Sequence, residues 1–307
     1  MTPPEQQELP FVSVIIPVYN DTARLKVLLE LLQKQTYPSH LFEVIVVDNA
    51  SREPVAPALE NAPNARIVVE TNPGPDKARK AGLAHAKGDY LAFTDSDCVP
   101  YPDWLENGIR AMLRNPGCGL VGGRVDVFPK DPKQMTWVEY YESVFAFPTK
   151  DNVNRHHFMP TCNMFTRKDV FEAVGPFNDT LRSSGDQEWG ERVYKHGYKL
   201  VYDDSVAIRH PARRTLKEVQ KKIRRMTFSH TALLIKDASS KWFPVFLQNK
   251  FYRRLFIFPT PSEVRKTLRS QHTLTNKIKI LLIVLWTRVY RAWVMLRSLF
   301  PQPERLW

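Results

Sequence analysis

The fold is decided by one stretch, Gly88-Asp89-Tyr90-Leu91-Ala92-Phe93-Thr94-Asp95-Ser96-Asp97. Its apolar run over residues 90–94 predicts a short buried strand that leads directly into two carboxylates. In an extended chain residues i and i+2 point the same way, so Asp95 and Asp97 can face one site. Carboxylates this close repel each other unless a cation neutralises them, and Mg²⁺ is typically held by one or two carboxylates. The alternative interpretation is a solvated Asp-Ser-Asp turn that binds no metal.

The chain around this stretch alternates between strand and helix patterns. Near-continuous apolar runs rich in β-branched residues are typical of strands that are buried on both faces of a parallel sheet. Asp21 or Thr22 can cap the helix that follows the first strand. The alternation indicates an α/β fold, with a mostly parallel central sheet flanked by helices. We predict strands over 11–18, 42–47, 65–70 and 90–94, and a second helix over 76–86.

Polar side chains follow these strands at the points where the strands end. They are Tyr19, Asn20, Asp48, Asp95 and Asp97. In open α/β sheets, ligands bind outside the carboxyl ends of the strands. No Gly-x-Gly-x-x-Gly follows the first strand, which disfavours a dinucleotide oxidoreductase. The sequence therefore predicts one ligand site at this edge of the sheet, of another kind.

Charge divides the chain into two parts. Of the 307 residues, 43% are hydrophobic, which is enough for one large domain with a core. Residues 211–307 carry 21 Lys and Arg against 4 Asp and Glu, a net charge of +17, whereas residues 1–210 carry a net charge of −5. This asymmetry indicates two parts with different partners, and we place the boundary near Pro211.

The N-terminus and the cysteines indicate a cytoplasmic location. Residues 1–10 are polar, acidic and rich in proline, unlike a signal peptide. Cys98, Cys118 and Cys162 are far apart and form no Cys-x-x-Cys pair, so they support neither a disulfide framework nor a zinc site. We expect all three to be buried free thiols.

Several motifs in the first part follow the order and spacing of a known family. They are Val-Ser-Val-Ile-Ile-Pro-Val-Tyr-Asn (12–20), Val-Ile-Val-Val-Asp-Asn-Ala-Ser (44–51), Asn-Pro-Gly-Pro-Asp-Lys-Ala-Arg (72–79), Thr-Asp-Ser-Asp (94–97), Cys-Asn-Met (162–164), Gly-Pro-Phe (175–177), Gly-Asp-Gln-Glu-Trp-Gly-Glu-Arg (185–192) and His210. Over roughly residues 9–212 the chain resembles family 2 glycosyltransferases, which have the GT-A fold. Two positions differ from the common pattern: Lys80 stands where the family often has Asn, and Gly185-Asp186 stands where a Glu-Asp pair is common.

The resemblance implies that the ligand at the sheet edge is a nucleotide-diphosphate sugar, most often a UDP-sugar, with GDP- and dTDP-sugars as alternatives. In that interpretation Asp48 accepts a hydrogen bond from the nucleotide base, and Arg79 contacts the diphosphate. The alternatives are a turn or N-cap role for Asp48 and a solvated Arg79 paired with Asp76. The implied donor-binding residues are Pro17, Tyr19, Asn20, Asp48, Arg79, Asp95, Ser96 and Asp97.

The resemblance also implies a bound Mg²⁺ or Mn²⁺ ion. Its ligands would be Asp97 together with Asp95 and His210. His210 follows a strand predicted over 206–208, and a neutral imidazole is a good ligand for such an ion when a diphosphate supplies the rest. The alternative is a histidine that lies partly in the core.

Asp186 occupies the position that the resemblance assigns to the catalytic base of an inverting transfer. A hydroxyl that attacks a sugar must lose its proton to a base as the bond forms. Glu188 and Arg192 are spaced as an i, i+4 pair, and Trp189 is either a core anchor, the commoner case, or a platform for an acceptor sugar. We expect the acceptor side to involve Asn163, Glu188 and Trp189.

The last part of the chain, residues 213–307, is predicted to be a basic extension of amphipathic helices. One helix is predicted over 213–226 and another near 277–300. The uncharged apolar run of the second helix, 280–287, is far shorter than the ~20 residues that a spanning helix needs. Its Trp, Leu and Arg residues indicate a helix that lies on an anionic membrane surface. The alternative is a helix that packs on the rest of the protein.

These features predict a metal-dependent, inverting glycosyltransferase with a catalytic domain over 9–212 and a glycan or lipid-linked acceptor. We expect it to lie on the cytoplasmic face of a membrane and not to bind nucleic acid, because the basic part carries no recognised nucleic-acid motif. Two alternatives stay open, an inactive glycan-binding or scaffold protein on the same fold and a basic nucleic-acid-binding protein. The joint presence of Asp95, Asp97, Asp186 and His210 argues against the inactive scaffold.

Overall fold

The structure is a computed structural model that describes residues 8–181, 183–237 and 255–298. Its strands are β1 (Val12–Val18), β2 (Phe42–Asp48), β3 (Ala65–Val69), β4 (Tyr90–Phe93), β5 (Val99–Pro100), β6 (Cys118–Phe128), β7 (Met164–Arg167) and β8 (Lys199–Pro211). Its helices are α1 (Thr22–Leu32), α2 (Pro75–Ala84), α3 (Trp104–Arg114), α4 (Trp137–Phe145), α5 (Thr149–Asp151), α6 (Lys168–Val174), α7 (Gly185–Lys195), α8 (Leu216–Asp237), α9 (Pro261–Arg269) and α10 (Leu274–Ser298). Strands and helices alternate through the first part of the chain, as predicted.

The strands form one sheet in the order β3-β2-β1-β4-β7-β6-β8-β5. In its first half, β1 lies parallel to β2 and β4, and β2 lies parallel to β3. In its second half, β7 runs antiparallel to β4 and β6, and β5 runs antiparallel to β8. The sheet is therefore mixed, and the predicted parallel arrangement applies to β3-β2-β1-β4, the strands whose polar ends were expected to meet.

Burial explains why the first strands have unbroken apolar sequences. Val14, Ile15 and Ile16 of β1 are fully buried, as are Val44, Ile45 and Val46 of β2. Adjacent residues of a strand point to opposite faces, so full burial of consecutive residues means that both faces are covered. Helix α1 covers the sheet with the four leucines of its apolar stripe, Leu25, Leu28, Leu29 and Leu32.

The cap that was predicted for α1 is not formed. Asp21 is the residue before the helix, but its side chain accepts no hydrogen bond from the first-turn backbone. Its carboxylate instead accepts hydrogen bonds from Arg24 Nε at 2.6 Å and from Ser96 Oγ at 2.7 Å. The contact with Ser96 belongs to the tertiary structure, so a local rule for helix starts did not find it.

The chain divides into two compact units. The first unit comprises Met1–Asp126, Pro148–Thr180 and Gly185–His210, and the second comprises Val127–Phe147, Leu181–Ser184 and Pro211–Trp307. The second unit thus includes α4, which precedes the boundary drawn from charge at residue 212. Helix α4 has few basic residues, so a charge pattern does not assign it to the basic part.

In the second unit, α10 packs against α8 and α4. Its inner face includes the buried residues Ile280, Ile283 and Val284, and a small cluster joins Trp286 to Val219 of α8. Helix α8 begins later than the prediction, at Leu216, because the Thr215 hydroxyl accepts the Glu218 backbone N–H in a capping arrangement. Among the described helices, none has a stretch long and apolar enough to span a membrane.

Candidate active site

Arg79 joins two carboxylates near the carboxyl end of β4. The guanidinium donates from Nη1 to Asp76 Oδ1 at 2.9 Å and from Nη2 to Asp95 Oδ1 at 2.8 Å. Arg79 is 6% exposed and Asp76 is 3% exposed. The predicted pairing of Arg79 with Asp76 is therefore present, but it is buried rather than solvated. A buried ion pair with charge-assisted hydrogen bonds on both sides holds the guanidinium in one orientation.

Asp186 lies beside this ion-pair chain, in the first turn of α7. Its Oδ1 accepts a hydrogen bond from the Gln187 backbone N–H at 2.9 Å. Burial raises the pKa of Asp186 to about 6, against the attraction of Arg79, and the negative charges of Asp76 and Asp95 raise it further. A carboxylate with a pKa of this size is ionised at neutral pH yet basic enough to accept a proton, as a general base must.

Asp97, Cys98 and His210 form a group that could hold a metal ion. One ligand atom from each of them lies within 4.8 Å of the others. Asp97 Oδ1 is 3.6 Å from His210 Nε2, which is too long for a hydrogen bond. Burial raises the pKa of Asp97, with further repulsion from Asp95 and Asp21. A cation would relieve that repulsion, so the carboxylate and the imidazole fit Mg²⁺ or Mn²⁺.

The third member of this group differs from the predicted set. Cys98 follows Asp97 directly and is buried, whereas Asp95 is bonded to Arg79. Cys98 is a buried thiol, as predicted, and its position next to Asp97 is the sequence signal for its place in this group. All three cysteines are free and buried, as predicted.

The loops that follow β1 and β2 are tied together at the same edge of the sheet. Asn20, with a left-handed φ of 50°, donates its backbone N–H to Ser51 Oγ at 3.0 Å and accepts the Arg52 N–H on its side-chain oxygen at 2.8 Å. Asp48 Oδ1 accepts the Ser51 N–H at 3.0 Å, which is the turn that was left open as an alternative. Tyr19 is 57% exposed beside them. Pro17 precedes them in β1 and is partly buried.

Two further residues, Asn49 and Arg24, contact the segments that carry the predicted site residues. Asn49 is 5% exposed, and its amide donates to the carbonyls of Glu70 and Asn72 while its oxygen accepts the Gly74 N–H at 2.7 Å. Arg24 on α1 places Nη1 3.6 Å from Asp97 Oδ2. Asn49 joins the loop after β2 to the loop between β3 and α2, and Arg24 comes from α1. Neither contact has a signature in the sequence, because both are tertiary.

Asn163 and Trp189, which were predicted on the acceptor side, are both fully buried. Asn163 is 0% exposed, and its amide is used by Trp104 Nε1 at 2.9 Å and by the Arg124 and Val206 carbonyls. Trp189 is also 0% exposed, and its indole N–H donates to the Gly175 carbonyl at 2.8 Å. Both side chains are parts of the core, which for Trp189 was the commoner of the two interpretations.

Glu188 is likewise occupied by a structural contact. Its carboxylate accepts two hydrogen bonds from Arg192, at 2.8 and 2.9 Å. Arg192 also donates to the carbonyls of Val174 and Pro176. The i, i+4 pair that the spacing predicted is present, and it fastens the loop after α6 to helix α7. An acceptor-side role for Glu188 stays a prediction.

The fold and the residues at its ligand edge define a class of protein. The mixed sheet with its flanking helices, and the carboxylates that follow β4, match the GT-A fold. The family model for glycosyl transferase family 2 matches residues 13–175, more than half of the chain. The chain therefore belongs to glycosyl transferase family 2, and it is a glycosyltransferase.

Known proteins resemble this chain to different extents. Glycosyltransferase AglE of Haloferax volcanii is 39% identical over 210 residues, which are 67% of this chain and 68% of that protein. The pre-mycofactocin glycosyltransferase of Mycobacterium tuberculosis is 28% identical over 67% of this chain, which spans 44% of that protein. Mannosyltransferase PcManGT of Pyrobaculum calidifontis, solved in complex with GDP-Man and Mn²⁺, superposes with a TM-score of 0.57 over 95% of this chain and 74% of that protein, at 18% identity. The last likeness shows the fold.

Proposed function

We propose that this protein moves a sugar from a nucleotide-diphosphate sugar to a hydroxyl of a glycan or lipid-linked acceptor, with inversion at the anomeric carbon. The observation that carries the proposal is Asp186, a carboxylate with a pKa of about 6 beside Asp95 at the ligand edge of the sheet. Asp186 takes the proton of the attacking hydroxyl, and the bond to the diphosphate breaks on the opposite side of the sugar. The fold neighbour that was solved with GDP-Man and Mn²⁺ supports this type of donor.

The donor is held by residues of the first unit. Asp48 binds the nucleotide base, with Pro17, Tyr19 and Asn20 beside it, and Ser96 lies between the two carboxylates after β4. Arg79 is already hydrogen-bonded to Asp76 and Asp95. Its positive charge therefore attracts the diphosphate while the guanidinium stays bonded to these two carboxylates. We expect the donor to be a UDP-sugar, as the resemblance of the sequence implies. GDP-sugars are the next to test, because the fold neighbour was solved with GDP-Man.

A divalent metal, Mg²⁺ or Mn²⁺, would be held by Asp97 and His210, with Asp95 or Cys98 as further candidates. Bound there, it would neutralise the charge that develops on the leaving diphosphate. Asp97 is partly desolvated, and its carboxylate oxygens lie 3.6 Å from His210 Nε2 and 3.6 Å from Arg24 Nη1. Both partners are too distant for short hydrogen bonds, so the carboxylate can turn to a ligand without breaking one.

The test is hydrolysis of the donor, with water in place of the unknown acceptor. UDP-, GDP- and dTDP-sugars are incubated with the full-length protein and Mn²⁺, Mg²⁺ or a chelator, and release of the nucleoside diphosphate is measured. We expect one nucleotide to be preferred and the chelator to stop release. Absence of both binding and release across the panel would contradict the proposal and favour an inactive scaffold.

We propose further that the second unit contacts an anionic membrane surface and holds the protein on the cytoplasmic face. The outer face of α10 is a stripe of exposed apolar side chains at helical spacing. This α10 stripe comprises Ile278, Leu282, Val289, Trp293 and Leu296, each 47–52% exposed. Contiguous apolar surface of this kind, next to basic side chains, is typical of helices that lie in a membrane interface.

The charge near α10 favours anionic over neutral lipid. Lys222 on α8 lies close enough to Arg213, Arg225 and Arg291 that their charges, after the larger effect of burial, lower its pKa to about 8. Glu142 acts in the opposite direction and is bonded to Arg213 at 2.8 Å. Four cations around one carboxylate leave an excess of positive charge, which an anionic headgroup would offset.

Vesicle sedimentation tests this contact. We expect the full-length protein to sediment with vesicles that contain phosphatidylserine and only weakly with phosphatidylcholine alone. Leu282→Ser with Val289→Ser should release it, while the control Val27→Ser with Val69→Ser, two exposed valines of the first unit, should not. Equal sedimentation of the α10 variant, or preference for an oligonucleotide over vesicles in competition, would contradict the membrane proposal and favour nucleic acid.

A further inference from the structure

Gly185 begins helix α7, and the space that a side chain there would fill is taken by Asp76 of helix α2. A β-carbon at residue 185 would lie 2.5 Å from Cγ and 3.0 Å from Oδ1 of Asp76. Its three nearest atoms would all belong to this one carboxyl group. The backbone at Gly185 is outside the left-handed region that requires glycine, so its conformation accepts a side chain. Asp76 is therefore what excludes one.

The carboxyl group that fills this space also orients Arg79. Asp76 Oδ1 accepts from Nη1 at 2.9 Å, while Nη2 of the same guanidinium is bonded to Asp95. Asp186 follows Gly185 directly and is a third carboxylate within electrostatic reach of Arg79. Without Asp76, Nη1 of a guanidinium that is 6% exposed would lose its partner. A buried donor without a partner is costly, so the guanidinium would turn toward the remaining carboxylate, Asp186.

Building on the proposed transfer reaction, we infer that Asp76 is a positioning residue for it. Asp76 holds Arg79 on Asp95 and keeps it from pairing with Asp186, which leaves the Asp186 carboxylate available to the acceptor. The Asp76 carboxyl group occupies the space that a side chain at residue 185 would fill. Carboxylates at residues 76 and 185 therefore exclude each other. The glycine at 185 is the consequence of the aspartate at 76.

If Asp76 has this role, a carboxylate introduced at residue 185 on α7 should replace the one lost from residue 76 on α2. Asp76→Ala should lower kcat for donor hydrolysis by about 10–100-fold, the usual result of misplacing a catalytic group, with KM for the nucleotide sugar changed less. Gly185→Glu alone should lower kcat at least as much, because the new side chain overlaps Asp76. The double variant should recover at least tenfold over each single variant. Asp76→Asn, whose amide oxygen can still accept from Nη1 but carries no charge, should lower kcat less than Asp76→Ala.

The matched control is Asp179→Ala. Asp179 is an exposed carboxylate bonded at 2.8 Å to Lys80 of the same helix, α2, so its loss removes an ion pair of that helix away from the site. We expect this variant to hydrolyse donor at the wild-type rate. Wild-type kcat in both Asp76 variants, or a double variant no faster than Gly185→Glu, would overturn the inference.

A second measurement separates this inference from the proposed function. Thermal unfolding of the wild type, both single variants and the double variant gives a cycle that needs no activity. Gly185→Glu should lower Tm by several degrees in the presence of Asp76 and by clearly less in the Asp76→Ala background. Additive Tm changes would show that side chains at residues 76 and 185 do not compete for one space, and would overturn the inference even if the enzyme is active. Non-additive Tm changes in a protein that hydrolyses no nucleotide sugar would support the competition between residues 76 and 185 and contradict the proposed reaction.

Discussion

Replacement of Asp186 by asparagine should lower activity and raise stability at the same time. The amide has the shape of the carboxylate but cannot accept a proton from the acceptor. We expect transfer or donor hydrolysis to fall by ~10²–10⁴, the usual contribution of a positioned general base, while donor binding in calorimetry stays near the wild-type value. Stability should rise because the substitution removes a charge that is buried beside Asp76 and Asp95.

The size of the stability gain follows from the pKa of Asp186. A rise from the ordinary value of 3.8 to about 6 corresponds to about 3 kcal/mol lost by the ionised carboxylate on folding. The Asp186 side chain keeps partial contact with solvent, which weakens the effect. We therefore expect the variant to gain about 1 kcal/mol in free energy of unfolding, or a Tm about 2 °C higher at neutral pH. Below the unfolded pKa both proteins are neutral at this position. The difference should therefore be absent well below pH 3.8, grow between pH 3.8 and about 6, and stay constant above that.

Thermal unfolding of both proteins across this pH range is the assay, with activity measured on the same samples. The wild-type acid limb of kcat/KM should have an apparent pKa near 6, since Asp186 must be ionised to act. A variant that is less stable than the wild type at neutral pH would refute the electrostatic reasoning. A variant that transfers sugar at nearly the wild-type rate would show that the base is another residue.

Three further predictions concern the metal site and the buried side chains. Asp97→Asn should abolish metal-dependent donor binding in calorimetry without loss of the fold, and unchanged affinity with metal present would remove Asp97 from the site. His210→Ala should weaken metal binding less than Asp97→Asn, because an imidazole supplies no charge, and an equal or larger loss would reverse that ranking. Trp189→Ala should cost about 3–5 kcal/mol in denaturant unfolding, as for a core aromatic, whereas a small effect with weaker acceptor use would restore the platform interpretation.

The order of motifs was enough to predict the fold and the family. Strands buried on both faces have continuous apolar sequences, and Asp48, Asp95 and Asp97 follow such runs directly, so local pattern placed them at one edge of the sheet. Polar residues deeper in the structure were harder to interpret. Asn163 and Trp189 lie in motifs of the family pattern, yet each is buried in the core and hydrogen-bonds to buried polar groups there.

What the sequence alone determined is the class of fold, the family and the edge of the sheet where polar side chains gather, because these depend on periodicity and on residues close together in the chain. The tertiary structure decided which charges face one another. Arg79 takes one carboxylate from its own helix and another from the end of β4, and Asp76 occupies the space beside Gly185 from a different helix. The pair of Arg79 and Asp76 lies within one helical turn, and local spacing predicts it. Asp95 comes from another strand end and Gly185 from a helix more than a hundred residues after Asp76, and no local pattern records those contacts. Since the pKa of Asp186 depends on those same charges and on burial, its suitability as a base is a property of the folded chain.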